Sequence, residues 1–329
     1  MASVEAAKTK VMRVVSLSPF TAALCLAGAC LVEGMSLHFN FKTQATDPGS
    51  VLVLIALCVT LRFSPALRAR PWLTIPFDVF AVVVVVLDFT LILPWQAQAF
   101  GLPLTDDVVH AFDLSIGFDH VKWMGWLNGH PDVTWGLGIV YNTMIPQTIL
   151  IIVLCLMTRR IRHLDRYLCA FAIAIILTSA LSILLPTRGI VSILDPSLRN
   201  LPGWPFAATD IATYDALRSG ALRDLIGVPR LGIVSFPSFH AASAVLATWA
   251  FWAWRPARCP AAVLNSTVSI ATVGCGGHYV ADVLVGFFVA TCSVLLAVRG
   301  SNLGYTLLNH IKPISRSSDQ RDAGSPEIA

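Results

Sequence analysis

Charge is what this sequence has least of. Asp, Glu, Lys and Arg make up only 13% of its 329 residues, against about 25% in a soluble domain. Too little polar surface remains to cover a globule in water. Disordered chains and long coiled coils need far more charge, so both are excluded. The net charge of +4 is too small to suggest nucleic acid as a partner. Eight cysteines are present, but none form a Cys-x-x-Cys pair and nearly all lie inside apolar runs. They read as small core hydrophobes, not as a disulfide framework or a metal site. A Gly-rich phosphate loop and internal repeats are also missing.

What is abundant is apolar. Hydrophobic residues reach 56% and the mean hydropathy is +0.71. Runs of roughly spanning length fall near 14–37, 49–63, 73–94, 134–157, 167–185, 238–254, 261–277 and 279–298. The second is short and the seventh is polar, so each is either a span or a re-entrant segment. The first follows Lys8, Lys10 and Arg13, as a signal peptide would, but it runs on to Leu37, which favours an uncleaved helix. The expected fold is all-α, a polytopic transmembrane helix bundle of about eight spans. Two N-terminal helices fill 1–72, a six-helix catalytic core fills 73–298, and a disordered tail follows over 299–329.

The basic residues orient the bundle. One set of alternate loops, holding Arg13, Arg62, Arg70, Arg160, Arg166, Arg255, Arg258 and Arg299 among others, carries more than two thirds of the Lys and Arg. Positive loops stay inside, so both termini are expected in the cytoplasm. The long loops 95–133 and 186–237 then face outward. The heavy use of Arg over Lys points to a bacterial cell membrane, with the working face toward the periplasm.

Two strings carry chemistry. Phe236-Pro237-Ser238-Phe239-His240 opens the sixth span, and Gly276-Gly277-His278-Tyr279-Val280-Ala281-Asp282 opens the eighth. Composition alone would give His-x-x-x-Asp about 0.4 times and Pro-Ser-x-His roughly 0.03 times. Both begin helices on the outward face. His278 and Asp282 are four apart and share one helix face. The acid can hold one ring nitrogen and leave the other free as a nucleophile. Ser238 is a natural N-cap, and a helix start offers amides and positive dipole to a phosphate oxygen. His240 lies in the first turn, placed to protonate a leaving oxygen.

These residues resemble the phosphatidic acid phosphatase type 2 superfamily of membrane lipid phosphatases and phosphotransferases. The resemblance covers roughly 73–298 and looks closest to the inositol phosphorylceramide synthases. It implies His278 as nucleophile, Asp282 as its orienting acid, His240 as general acid, and Ser238 and Gly277 beside the phosphate. It also implies a phosphohistidine intermediate, no metal or other cofactor, and a lipid phosphate as partner. Water or a second alcohol could complete the cycle. The pattern departs in its cations. The family's Lys six residues before Arg-Pro is Phe63 or Thr248 here, its Arg six before the nucleophile is Thr272, and Phe239 replaces a Gly. Arg188, where the fifth span exits, is the best substitute clamp, and Arg230 is the second.

Other features are read more plainly. Asp106, His110 and Asp113 share one helix face that could bind a metal or a polar headgroup, but the segment is expected to be an amphipathic helix lying on the membrane, with Trp123, Trp126 and Trp135 as interface anchors. Tyr141 and Gln147, near Pro146, could line the cavity. Asp88, Asp78 and Glu33 are intramembrane acids, too few for a transporter, which is the competing class beside an inactive family member.

Overall fold

In the computed structural model, the chain is described over residues 17–42, 71–198, 210–226, 228 and 234–310. The second apolar segment and Arg230 lie outside these residues. Helices and short turns make up the described chain, as the sequence predicts. Among the described residues, five helical stretches are long and apolar enough to cross a membrane: Pro19–Phe39, Ile75–Gln98, Pro131–Met157, Ile161–Leu184 and Val280–Leu307; Phe239–Phe251 is apolar but shorter. The outward surface is apolar, with Leu37, Phe80, Trp135, Ile145 and Phe288 all exposed. Apolar patches of that extent belong against lipid, so the protein is a multi-pass membrane bundle.

Helix α1 (Pro19–Phe39) starts where Ser18 caps it, accepting from Thr21 N. Helix α2 (Pro71–Gln98) is tied to α1 by Gln96 Nε2, which donates to Val32 O and Ser36 Oγ. Two short helices follow outside the long spans, α3 (Asp106–Ser115) and α4 (His120–Asn128), and then the first half of the fourth segment, α5 (Pro131–Tyr141). The fourth segment breaks before α6 (Met144–Met157). Pro146 has no N–H to give to the carbonyl of Asn142, and its ring would clash there. The break leaves Tyr141 at a helix end facing the interior.

Helix α7 (Ile161–Leu184) is the centre of the bundle, packed against α1, α2 and later helices. Its fully buried Cys169, Ala170, Ala172 and Ala174 are small enough for close helix approach. Helix α8 (Asp210–Ser219) lies in the long loop between α7 and α9. Helix α9 (Phe239–Phe251), α10 (Arg258–Cys275) and α11 (Val280–His310) complete the chain. The seventh segment, polar for a span, is a continuous 18-residue helix. Its hydroxyls satisfy themselves along the helix, Thr267 on Val263 O, Ser269 on Asn265 O and Thr272 on Val268 O. Helix α11 runs to His310, so residues 301–310 are helical where the sequence reading places a tail.

The end of the bundle rich in Arg is closed by an acid that sequence reading passed over. Asp165 is fully buried. Its Oδ1 accepts from Ser18 N at 2.9 Å and Thr21 Oγ1 at 2.7 Å, and its Oδ2 from Ser301 Oγ at 2.5 Å. One carboxylate thus joins α1, α7 and α11.

Candidate active site

The two motifs meet at the end of the bundle opposite Asp165. Helix α9 begins at Ser238, whose hydroxyl accepts from Ala241 N at 3.2 Å and whose own N–H donates to Asp282 O at 3.0 Å. That bond stitches the first string directly to the second. Gly286 keeps the helices in contact, since a Cβ there would sit 2.5 Å from Ser238 O.

Asp282 is fully buried, and its Oδ2 gathers three donors: Ser235 Oγ at 2.7 Å, Tyr279 N at 2.9 Å and His278 Nδ1 at 3.2 Å. His278 is itself buried. With Nδ1–H given to the acid, its Nε2 carries the lone pair. The peptide before Pro237 is cis.

His240 approaches from α9. Its Nδ1 lies 3.1 Å from Tyr141 Oη, and the two rings stack with centroids 4.1 Å apart. The Tyr141 ring also borders the second motif. A Cβ on Gly276 would meet His278 Cδ2 and Tyr141 Cε2, both at 2.9 Å. The rings of His278, Tyr141 and His240 therefore form one contiguous group around the Gly276 turn.

A second layer supports that turn. The loop after α7 bends at Gly189, whose φ is +84° and where a Cβ would fall 2.5 Å from Gly277 O. Only glycine combines that conformation with that approach. Ile190 N donates to Gly277 O at 3.0 Å. Asp106, from α3, binds the loop: its Oδ1 accepts from Arg188 N and Gly189 N, both at 3.0 Å, and from Tyr279 Oη at 3.2 Å. Asp113, also from α3, is fully buried. Its Oδ1 accepts from Ala281 N at 3.0 Å, and its Oδ2 from Val280 N at 2.7 Å and His120 Nε2 at 2.6 Å.

This corrects the expected role of α3. The helix is amphipathic, but Asp106 and Asp113 turn inward, and Val108, Phe112, Leu114 and Ile116 are exposed. The acids hold protein, not headgroups. Among the described residues, no group of three or more His, Cys, Asp or Glu is arranged to hold a metal ion.

Of the site residues expected from sequence, His278, Asp282, Ser238, Gly277 and His240 come together. Arg188 is placed beside them through Gly189. Its guanidinium is held by Asp215 of α8, with Nε at 3.0 Å and Nη2 at 2.8 Å from Oδ1. Thr272, standing where a cation was expected, is fully buried with its hydroxyl turned back into α10. Ser235 was missed; it lies in no motif, and only proximity in space reveals it. Asp113 was noticed on its helix face, but not its bond to the start of α11.

The arrangement offers a free imidazole nitrogen beside a second imidazole, at a junction of two helix starts. A family model described as the PAP2 superfamily matches residues 107–296, more than half of the chain. Searches of the curated proteins and of the solved structures find no match.

Proposed function

Since the chain belongs to the PAP2 superfamily, we propose that it is an integral-membrane enzyme moving a phosphoryl group from a lipid phosphate or phosphodiester through His278. The observation that carries this reading is the shared cluster of His278, Asp282, Tyr141 and His240 at one end of the bundle. His278 Nε2 attacks phosphorus, a P–N bond forms, and the bond to the lipid oxygen breaks. His240 gives its proton to that departing oxygen. In the second step an oxygen nucleophile attacks the phosphohistidine, His240 takes its proton, and the P–N bond breaks.

Ser238 borders the phosphorus at the start of α9 and Gly277 beside His278, and Arg188 swings from Asp215 to the phosphate as the substitute clamp. Arg230 is a second cation for this role. The 186–192 loop packs on the Gly277 turn, and the acceptor is water or a lipid or polyol alcohol. An inositolphosphotransferase-like reaction is one such transfer. Released inorganic phosphate would instead identify a phosphatase.

Arg159, Arg160, Arg162, Arg166, Arg255, Arg258 and Arg299 gather at the far end of the bundle. The positive-inside rule then places the His278 end outside the cytoplasm. The test is purified protein in detergent, assayed against a panel of lipid phosphates beside His278→Ala and His240→Ala. Each variant is expected to lose at least about 100-fold in turnover. Unchanged turnover in His278→Ala would refute the assignment.

A further inference from the structure

Three consecutive N–H groups open the turn into α11, and each has a carboxylate. Tyr279 N donates to Asp282, while Val280 N and Ala281 N donate to the two oxygens of Asp113. Asp113 therefore occupies the positive end of the very helix that carries Asp282. A phosphate cannot also bind there, although helix starts are common anion sites. The anion is left to the α9 start and the cations.

Asp113 is also fixed on its other side. His120 Nε2 shares its Oδ2 at 2.6 Å, and His120 is itself fully buried. Its ring lies edge-on to Tyr279, with centroids 5.4 Å apart. Tyr279 Oη reaches the second acid of α3, Asp106. The residue following His278 is thus locked at its amide by Asp282 and at its hydroxyl by Asp106, and the next two amides by Asp113. His278 has little freedom to turn away from Asp282.

On these grounds, and resting on the proposed reaction, we propose that Asp113 is a positioning residue of the catalytic centre. It sets the register of α11 so that the Asp282 carboxylate meets His278 Nδ1 and aims Nε2 at phosphorus. It touches neither substrate nor reacting atoms. Displacement of a reacting group by about 1 Å costs on the order of 100-fold in rate, so a loosened turn is read out in chemistry before it is read out in binding.

Asp165 provides a matched control. It too is a fully buried acid that accepts from other segments, among them Ser18, Thr21 and Ser301, but at the opposite end of the bundle. Asp113→Asn places an amide NH2 against at least one of the N–H donors and leaves that donor buried and unpaired. Asp165→Asn removes the charge from the bonds to Ser18, Thr21 and Ser301 far from His278.

Wild type, His278→Ala, Asp113→Asn and Asp165→Asn are purified in detergent and compared with one lipid phosphate. Single-turnover formation of acid-labile phosphoprotein, kcat, KM and unfolding temperature are measured. Loss of phosphoprotein in His278→Ala establishes the underlying reaction. Asp113→Asn is then expected to slow phosphoprotein formation and kcat by about 10- to 100-fold with KM within about 3-fold. Asp165→Asn is expected to lower the unfolding temperature with kcat unchanged. If Asp113→Asn keeps wild-type kcat, or if the two variants lose activity only in step with stability, the positioning role is overturned while the reaction stands. If His278→Ala still forms phosphoprotein, both fall together.

Discussion

Oδ2 of Asp282 accepts from a serine hydroxyl, a backbone amide and an imidazole at once. Charge-assisted bonds of this kind are about twice as strong as neutral ones, and they fix which nitrogen of His278 is free. His240 is held differently, by stacking of its ring on Tyr141 and by the Tyr141 hydroxyl. These two contributions can be separated. Tyr141→Phe keeps the ring and deletes the hydroxyl, so His240 stays in place with its Nδ1 unanchored. Turnover is expected to fall about ten-fold, the scale of one orienting hydrogen bond, with the unfolding temperature unchanged. Wild-type turnover in that variant would assign Tyr141 to packing alone.

At the scale of elements, α3 is the part that sequence patterning misplaced. It was expected to be an amphipathic helix lying on the membrane, with no role for its acids inside the protein. Here the exposed side is apolar, and the acids find their partners inside the protein. The same inversion hid Asp165, which sits among Arg160, Arg162 and Arg166 and reads as one more loop charge. The spans and the two histidine strings were legible because hydropathy and i,i+4 spacing are local properties. Ser235 on Asp282, and Asp113 on Val280, are contacts across 47 and 167 positions, and no local pattern encodes them.

Burial lifts the Asp106 carboxyl above the ordinary carboxylate range, outweighing the hydrogen bonds from Arg188, Tyr279, Gly189 and Ser192 that pull it down. The folded protein therefore binds this proton more tightly than the unfolded chain. The resulting stability is complete below the unfolded value of about 3.9 and is lost as pH rises through the raised one. Stability relative to Asp106→Asn, followed by thermal unfolding in detergent, is expected to decline from about pH 4 toward neutrality. A difference that grows over that range would contradict the sign.

At the scale of the whole molecule, the two ends of the bundle are chemically distinct. One carries His240 and His278. The other carries the Arg cluster, with Arg160 over Trp254, Arg162 over Tyr305 and Arg258 over Trp252. Cys259 is exposed at this second end. In a background with the other cysteines removed, a membrane-impermeant maleimide should label Cys259 only after the membrane is permeabilised. Ser219→Cys, in α8 at the opposite end, should react in intact cells. The reverse pattern would invert the proposed orientation.

Helix α11 joins those two ends without interruption, gripped near its start through Val280 and Ala281 and near its finish through Ser301. From Asp282 to Ser301 it measures about 29 Å at the usual rise per residue, close to the roughly 30 Å hydrocarbon thickness of a typical bilayer. The protein thus carries its own ruler. A markedly thinner or thicker bilayer would have to deform around it, because clamps at both extremities leave the rod little room to tilt.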